Sequence, residues 1–380
     1  PHWDLYSYYE PEYHWINLKR KGDNHWHLED PNVKIDYLSG QSGLDSKVNE
    51  NIFVPGKGYM MAIERDSYLS NTGTLNRGDV SITLTKKSNA PEEGYGLGCN
   101  LVGNPYQAYL DLDKVHDDTG FSEFWIYDAD QNMYLPYAWN SSENHVLPSR
   151  YIHPHQAFFV LTNTDGQTLT FNTTMATAQP DTYYFRGDRE NYPLVNLFVE
   201  NGAGSRDLAV VELMRPETGG VRKNSLLRNA DFYLSAHYDD EDYGLLFAPT
   251  HAKRVPLFFK TTRNDTYTLR WETMHGTFLT MRLIDNITGA NYDMLANDHY
   301  TFTGKATDFA ARFYIVFTVT GVGEYNDCAN ETFAYHNGYG WVVQGSGRLE
   351  LVDMLGRVLY SDNLSGEETL VHFRDVAAGV

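Results

Sequence analysis

Two closely spaced histidines are the first residues whose types could bind a metal. His25 and His27 flank Trp26, and Glu29 and Asp30 follow directly. In an extended strand alternate side chains share a face, so both imidazoles would point the same way and could ligate zinc or copper. The sequence identifies no third ligand. Surface histidines on either side of a core tryptophan are therefore the favoured interpretation.

An acidic run, Asp239-Asp240-Glu241-Asp242, supplies hard oxygen atoms of the kind that calcium prefers. Asp239, Asp240 and Asp242 are its candidate ligands. The run lacks the spaced Asp-x-Asp-x-Asp-Gly pattern of a dedicated calcium loop. A solvated acidic loop is the favoured interpretation, and calcium binding is the alternative.

Two further pairs carry weaker versions of these patterns. His153 and His155 have the metal-ligand spacing, but Pro154 between them indicates a turn or an edge position. Asp111 and Asp113 offer carboxylates without the remaining ligands of a calcium site. Neither pair predicts a metal on its own.

Catalytic motifs with a local signature are absent from the sequence. It contains no His-Glu-x-x-His, no Gly-x-Ser-x-Gly, no P-loop and no dinucleotide-binding glycine fingerprint. Glycoside hydrolysis needs two carboxylates that come from separate strands, so it leaves no such signature, and 50 acidic residues always allow a pair. We expect no catalytic residues, no enzymatic activity and no cofactor, with a glycoside hydrolase as one alternative.

Aromatic side chains could instead bind sugars by stacking. The chain is 14% aromatic, and most of these rings are expected in the core. The segments dense enough to form a platform contain Trp125, Tyr134, Tyr137, Trp139, Tyr233, Tyr238 and Tyr243. A carbohydrate-binding module of a larger secreted enzyme is thus a second alternative.

The charge balance excludes several classes of partner. Asp and Glu outnumber Lys and Arg by 50 to 30, whereas a nucleic-acid binder needs clustered basic residues. No run approaches the roughly 20 apolar residues of a membrane-spanning helix, so we expect no membrane insertion. The first residue is Pro1, which predicts a processed or excised piece. Cys99 and Cys328 exclude a disulfide framework, and two buried thiols are favoured over one long-range disulfide.

Short alternating apolar segments bounded by turn residues predict a nearly all-β fold of antiparallel strands. In residues 80–85 the aliphatic side chains share one face and the hydroxyls the other. The second half predicts strands at 194–200, 207–214, 231–237, 255–261, 266–272, 278–285 and 312–319. We expect tandem β-sandwich or jelly-roll-like units at 1–180 and 181–320, and a truncated, immunoglobulin-like β unit at 321–380.

Residues 345–380 resemble the C-terminal sorting domain of proteins exported by the type IX secretion system. Leu349 and Leu351 are expected to point into a core, and Asp353 to open a turn. Gly356 would take the turn conformation before Arg357 starts the return strand. The ending at residues 377–380, which includes Gly379, matches the family spacing, and the family's last strand does not follow.

A second resemblance lies upstream, in the segment Gly-Cys-Asn-Leu-Val-Gly-Asn-Pro-Tyr at residues 98–106. It is similar to a Gly-Trp-Asn-Leu-Val-Gly-Asn-Pro-Tyr signature of large repetitive surface proteins of this type, with Cys99 in place of the aromatic residue. Residues 54–61 also echo residues 152–159, either through duplication or because each precedes a buried strand with a turn.

These resemblances imply export and surface display in a Gram-negative bacterium, outside the outer membrane. We therefore expect a non-enzymatic fragment of a cell-surface protein with an adhesion, display or stalk role. Its expected partners are a protein or glycan ligand at the cell surface and upstream domains of the same protein. Family resemblance does not identify the ligand.

Overall fold

The structure, a computed structural model, describes residues 3–12, 14–17, 54–63, 73–87, 98–178, 191–223, 226, 231–319, 333–336, 340–344, 346–352, 358–365 and 369–372. Within these residues strands dominate and one α-helix is present, so the predicted all-β fold is confirmed. The candidate metal ligands His25 and His27 lie outside the described residues, as does Cys328.

Twelve strands and the helix form the first part of the chain. They are β1 (Trp3–Tyr9), β2 (His14–Asn17), β3 (Met60–Ile63), β4 (Val80–Thr83), β5 (Cys99–Gly103), β6 (Tyr109–Asp111), α1 (Leu112–Thr119), β7 (Glu123–Asp128), β8 (Met133–Ala138), β9 (Tyr151–Ile152), β10 (Ala157–Leu161), β11 (Thr168–Phe171) and β12 (Ala176–Thr177). Small antiparallel sheets have the orders β2-β1-β3, β5-β10-β7-β8, β11-β4 and β12-β6-β9. Apolar side chains of β4 to β11 and of α1 enclose one core.

The helix α1 was not predicted from the sequence. Asp111 caps its N-terminus by accepting a hydrogen bond from the amide of Asp113 at 3.1 Å. Gly120 ends it with φ 79°, a left-handed conformation that glycine adopts without strain. With Leu112 and Val115 buried, the apolar face is too short to give a recognisable helical stripe.

The second half forms one large sheet. Its strands are β13 (Leu194–Asn201), β14 (Arg206–Arg215), β15 (Gly219–Arg222), β16 (Phe232–Tyr238), β17 (Glu241–Pro249), β18 (Arg254–Thr261), β19 (Asp265–Met274), β20 (Phe278–Asp285), β21 (Ala290–Asp293), β22 (His299–Gly304) and β23 (Phe313–Val319). The order is β21-β20-β23-β18-β16-β17-β14-β13-β19-β22, with β15 paired to β17. Every pairing is antiparallel except β14 with β17.

The large sheet curls until its two ends meet. Tyr292 of β21 and Tyr300 of β22, at opposite ends of the strand order, have ring centroids 5.3 Å apart. The apolar residues of the alternating strands fill the enclosed core. In β19, Tyr267, Leu269 and Trp271 are buried, and the residues between them face outward. This arrangement is the sandwich-like closure that the strand pattern predicted.

The first part packs directly on the large sheet. A second apolar cluster combines Trp125 and Phe159 with Leu245 and Phe247 of β17. Beside it, Arg222 Nη2 donates to Glu123 Oε1 at 2.8 Å, and the Arg222 amide donates to Oε2 of the same carboxylate at 2.9 Å. Side chains on both sides of the expected boundary near residue 180 therefore share this cluster.

Five short strands form the described remainder. β24 (Phe333–His336), β25 (Gly340–Gln344) and β28 (Thr369–His372) make a sheet in the order β24-β25-β28. β26 (Ser346–Val352) and β27 (Val358–Ser365) pair antiparallel, so the strand and return strand of the sorting-like tail are both present. Leu349 is half-buried opposite Asp362, and Leu351 lies opposite Tyr360. Asp353, Gly356, Arg357 and Gly379 lie outside the described residues.

Asp239 and Asp240 form the two-residue turn of the β16–β17 hairpin. Both have positive φ, 49° and 61°, as a type I′ turn requires. Glycine and asparagine adopt this conformation more readily than aspartate. We expect the double substitution Asp239→Asn/Asp240→Gly to raise the free energy of unfolding by about 1 kcal/mol, measured by urea denaturation.

Alanine at the same two positions is the matched control for this turn. Alanine is strongly disfavoured in the left-handed backbone conformation of this turn. Asp239→Ala/Asp240→Ala is therefore expected to lower the free energy of unfolding by about 1 kcal/mol. Equal stability of the two double variants would show that the hairpin does not use a type I′ turn.

Candidate ligand-binding cleft

A cleft of about 640 Å³ opens where the first part of the chain meets the large sheet. Its size lies within the range typical of small-molecule sites. One wall comes from α1, the end of β8 and the residues after it; the other comes from the β14–β15 connection and β17. The lining residues are His116, Ser122, Ala138, Trp139, Asn140, Tyr192, Arg215, Pro216, Glu217, Thr218, Gly219, Gly220 and Phe247.

Arg215, the last residue of β14, is the most deeply buried of the charged residues that line the cleft. Its guanidinium lies 4.4 Å from the ring centre of Tyr192 and 4.1 Å from that of Phe247. Nη1 donates to the carbonyl oxygen of Asn140 at 3.0 Å and to Glu212 Oε2 at 3.3 Å. Nε is buried and has no hydrogen-bond partner among the described residues. The guanidinium is thus held through Nη1, while Nε makes no hydrogen bond to a described residue and is closed off from solvent.

Glu212 is fixed behind Arg215 by bonds of its own. Its carboxylate accepts from the amide of Ser142 at 2.7 Å and from the Ser142 hydroxyl at 3.1 Å. The same hydroxyl oxygen accepts from the amide of Tyr192 at 2.8 Å. These bonds hold the carboxylate in place beside Nη1 of Arg215, so the arrangement is preorganised.

The backbone of the second wall is irregular where it presents Arg215. The pairing of β14 with β17 shifts register between Glu212 and Arg215, and Met214 has φ 63°. Such a bulge re-aims the side chains that follow it. Gly220 has φ 132°, and a Cβ there would lie 1.9 Å from the carbonyl oxygen of Leu245. No other residue fits at this position.

His116 and Trp139 form the opposite wall as a stacked pair. Their ring centroids are 4.2 Å apart with an interplanar angle of 25°. His116 Nδ1 lies 3.0 Å from the carbonyl oxygen of Phe121, so Nδ1 carries the proton. In the neutral ring Nε2 is then a hydrogen-bond acceptor.

The candidate calcium ligands occupy the hairpin rather than a metal cage. Asp239 and Asp240 are exposed in the turn, and Asp242 Oδ1 lies 2.9 Å from Nδ1 of His237. Among the residues that the structure describes, no three His, Cys, Asp or Glu side chains are grouped as metal ligands would be. His155 Nε2 lies 3.1 Å from Gln107 Oε1.

Asp111 and Asp113 are buried together at the start of α1. Asp113 accepts from the hydroxyl of Tyr137 at 2.6 Å and from Arg150 Nη1 at 3.1 Å. Arg150 Nε lies 3.6 Å from Asp111. Burial raises the pKa of Asp111, and the positive charge of Arg150 partly opposes that rise. Arg150 contacts both carboxylates and shares its single positive charge between them, which makes the three side chains a structural ion cluster.

The seven residues of the proposed aromatic platform are buried or half-buried, and none is exposed. Trp125, Tyr137 and Tyr243 are buried, and Tyr134, Tyr233 and Tyr238 are half-buried. Trp139 alone of the seven residues lines the cleft. Sequence reasoning missed Arg215, Glu212 and His116, because no local pattern joins residues from such distant segments.

The Asn-Pro-Tyr segment holds the first core together. The Asn104 side chain donates to the carbonyl oxygens of Ala108 and His153 at 2.8 and 3.0 Å and accepts from the Tyr106 amide at 3.0 Å. The Tyr106 hydroxyl donates to the carbonyl of Phe171 at 2.9 Å. Cys99, at the position where the resemblance has an aromatic residue, is fully buried in the cluster between the two parts.

The two echoing segments lie on either side of β5. Residues 157–161 pair with it as β10, and Lys57 bridges to Val102 on the other side. Each segment makes a turn immediately before it reaches β5.

No protein-family model, curated protein or solved structure matches this chain. Within the described residues no helix has the length and apolar character needed to cross a membrane.

Proposed function

We propose that this chain is a non-catalytic, ligand-binding part of an exported cell-surface protein, and that the cleft holds the ligand. The observation that carries the proposal is the cleft itself, about 640 Å³ in volume, with the buried ion pair of Arg215 and Glu212 in its wall. Concave sites of this size that combine apolar and polar side chains are the usual places for small ligands.

Export and surface display are supported by the sorting-like tail and the Asn-Pro-Tyr segment. Both are sequence resemblances. The net negative charge of the chain disfavours nucleic acid as a partner, which agrees with a role at the cell surface. An adhesin-like role follows if the ligand belongs to a host or neighbouring cell. The same cleft would serve a carbohydrate-binding module joined to a secreted enzyme.

A glycoside hydrolase is the less supported alternative. Its chemistry needs two carboxylates about 5 to 10 Å apart that both reach the substrate. Glu217 is the carboxylate in the lining, while Glu212 lies behind Arg215 and is held by Ser142. The described lining thus offers one reactive carboxylate where hydrolysis needs two.

A binding screen with a blocked cleft tests the proposal. The purified chain is applied to a glycan array and a panel of host surface proteins, with and without calcium. Ser122 is exposed in the lining, so Ser122→Trp should fill the cleft without disturbing the core. We expect at least one specific ligand, whose binding is lost in Ser122→Trp and kept in Thr303→Trp, an exposed control outside the lining. A ligand unaffected by Ser122→Trp, or no ligand at all, would contradict the proposal.

A further inference from the structure

We propose that the cleft binds an extended, basic peptide segment of a protein partner, which adds as a strand to the open edge of β15. This inference rests on the proposed function and identifies the class of ligand. Three features carry it: an unpaired strand edge in the cleft wall, the glycines at that edge, and the negative charge of the lining.

The strand β15 pairs with β17 on one side, and no described strand pairs with it on the other. Successive residues of a strand direct their N–H and C=O groups to opposite sides. The amide of Lys223, directly after β15, donates toward β17, to the carbonyl oxygen of Asp242 at 2.7 Å. The amide of Arg222 donates to the opposite side, to Glu123 Oε2 at 2.9 Å. Gly220 lies two residues before Arg222, so its N–H and C=O also face away from β17.

This open edge lies in the wall of the cleft. Thr218, Gly219 and Gly220 are all lining residues; Thr218 is exposed and the two glycines are half-buried. Among the described residues none forms a backbone hydrogen bond with the outward groups of Gly220. An edge strand with unpaired backbone groups is the feature to which extended peptides add, and the hydrogen bonds of the main chain supply much of the affinity.

The two glycines leave room for a second backbone. A Cβ at Gly219 would meet no atom within 4 Å, so open space adjoins this residue. Glycine inside a strand often marks a place where a ligand or another backbone approaches closely. Residues 218–221 precede the point where Glu123 closes the edge at Arg222. At about 3.3 Å per residue this stretch is roughly 13 Å long, enough for a peptide of four or five residues.

The charge of the lining favours a basic segment. Arg215 is neutralised by Glu212 in a buried ion pair. Glu217 is exposed in the lining and forms no ion pair or hydrogen bond with a described residue, so its negative charge is not balanced. The whole chain carries a formal net charge of -20, which attracts a positively charged partner over a longer range. An acidic segment would be repelled by both.

Titration of the full chain with short end-blocked peptides tests the inference. The basic probe has the sequence Val-Lys-Val-Lys-Val, the acidic probe has glutamate in place of both lysines, and maltotriose is the saccharide probe. We expect saturable binding of the basic probe by calorimetry, and binding about tenfold weaker or less for the other two. Hydrogen exchange within residues 218–222 should slow when the basic probe is bound, because the added strand accepts from the Gly220 amide.

N-methylated peptides distinguish strand addition from simple charge attraction. In an added strand alternate amides of the peptide face β15, and the others face away. Glu217 fixes the register by pairing with a lysine. Methylating one alternate set of amides in the basic probe should therefore abolish binding, while methylating the other set should leave the affinity nearly unchanged.

Charge reversal locates the peptide in the cleft. Glu217→Lys changes an exposed residue and should lower the affinity for the basic probe about tenfold and raise that for the acidic probe. Asp130→Lys is the matched control: it makes the same change in net charge in the exposed turn between β7 and β8, outside the lining, and should leave both affinities nearly unchanged. Thermal unfolding checks that both variants are folded.

Four outcomes would overturn the inference: no saturable binding of the basic probe, tighter binding of the acidic probe or of maltotriose, equal effects of the two methylation patterns, or unchanged affinity in folded Glu217→Lys. The methylated probes are used with the unaltered chain, so the test does not depend on a variant that folds. The proposed function survives these outcomes if the wider screen gives a ligand that Ser122→Trp abolishes. If that screen also gives none, both fail.

Discussion

Replacing Asp207 with alanine is expected to lower the free energy of unfolding by about 3–5 kcal/mol, because it leaves the ammonium group of Lys223 buried without its counter-charge. Lys223 Nζ donates to Asp207 Oδ2 at 2.7 Å and to the carbonyl oxygens of Leu208 and Leu234 at 2.7 and 2.8 Å. Both side chains are almost completely buried.

The loss of stability in Asp207→Ala should exceed the contribution of one ion pair. Asp207 Oδ2 also accepts from the amide of Leu234 at 2.8 Å, so the pair ties β14 to β16 and to the residue after β15. Removing the carboxylate leaves an N–H in the sheet interior without an acceptor, which adds to the cost. Urea denaturation followed by far-ultraviolet circular dichroism measures the change.

Two comparisons distinguish the cost of an unpaired buried charge from a general sensitivity of the sheet to substitution. Asp207→Leu/Lys223→Met removes both charges and should be more stable than Asp207→Ala, since apolar replacement of a buried pair is often neutral. Arg263→Ala breaks an exposed pair with Asp231 and should cost less than about 1 kcal/mol. A similar cost for Asp207→Ala and Arg263→Ala would mean that Lys223 reaches water.

The strands of the large sheet were predictable wherever one face is buried and the other is exposed to solvent. For β18 and β19, the strand ends predicted from the alternation lie within two residues of the observed ends. β17 was missed because it is covered on both sides: Leu246 and Ala248 face one core, while Leu245 and Phe247 face the cluster shared with the first part. A strand of this kind has no alternation to read.

The acidic residues before β17 also misled the sequence analysis. Asp239 and Asp240 do lie in an exposed turn, as a solvated acidic segment predicts, but the strand begins at Glu241. Asp242 is half-buried next to His237 and belongs to the sheet. Local composition predicted the turn and could not predict that the chain returns at once into the interior.

The cleft could not be predicted, because its chemistry arises from contacts between distant segments. Trp139 was named as a candidate sugar-stacking residue, and it does line the cleft. Arg215 precedes Pro216 at the end of a predicted strand, a position at which an arginine is usually solvated. Its burial depends on Glu212, Tyr192 and Phe247, which only the tertiary structure brings together.

Replacing Gly244 with alanine is expected to lower the free energy of unfolding by about 3 kcal/mol, at the upper end for an overpacked core. A Cβ at this position in β17 would lie 2.2 Å from Cη2 and 2.9 Å from Cζ2 of Trp125. Trp125 is fully buried in β7, in the cluster that joins the first part of the chain to the large sheet. Because the ring is completely buried, it can move only by displacing its neighbours in that cluster.

A double-mutant cycle shows whether that contact joins the two parts of the chain. Trp125→Phe removes the ring atoms that a Cβ at position 244 would strike, so Gly244→Ala should cost much less in the Trp125→Phe background. Gly202→Ala is the matched control, since a Cβ there has no neighbour within 4 Å. Strict additivity of the two core substitutions would mean that the tryptophan does not pack on β17. The wall of the cleft formed by Phe247 depends on the same strand, so the cleft would then lose its structural basis as well.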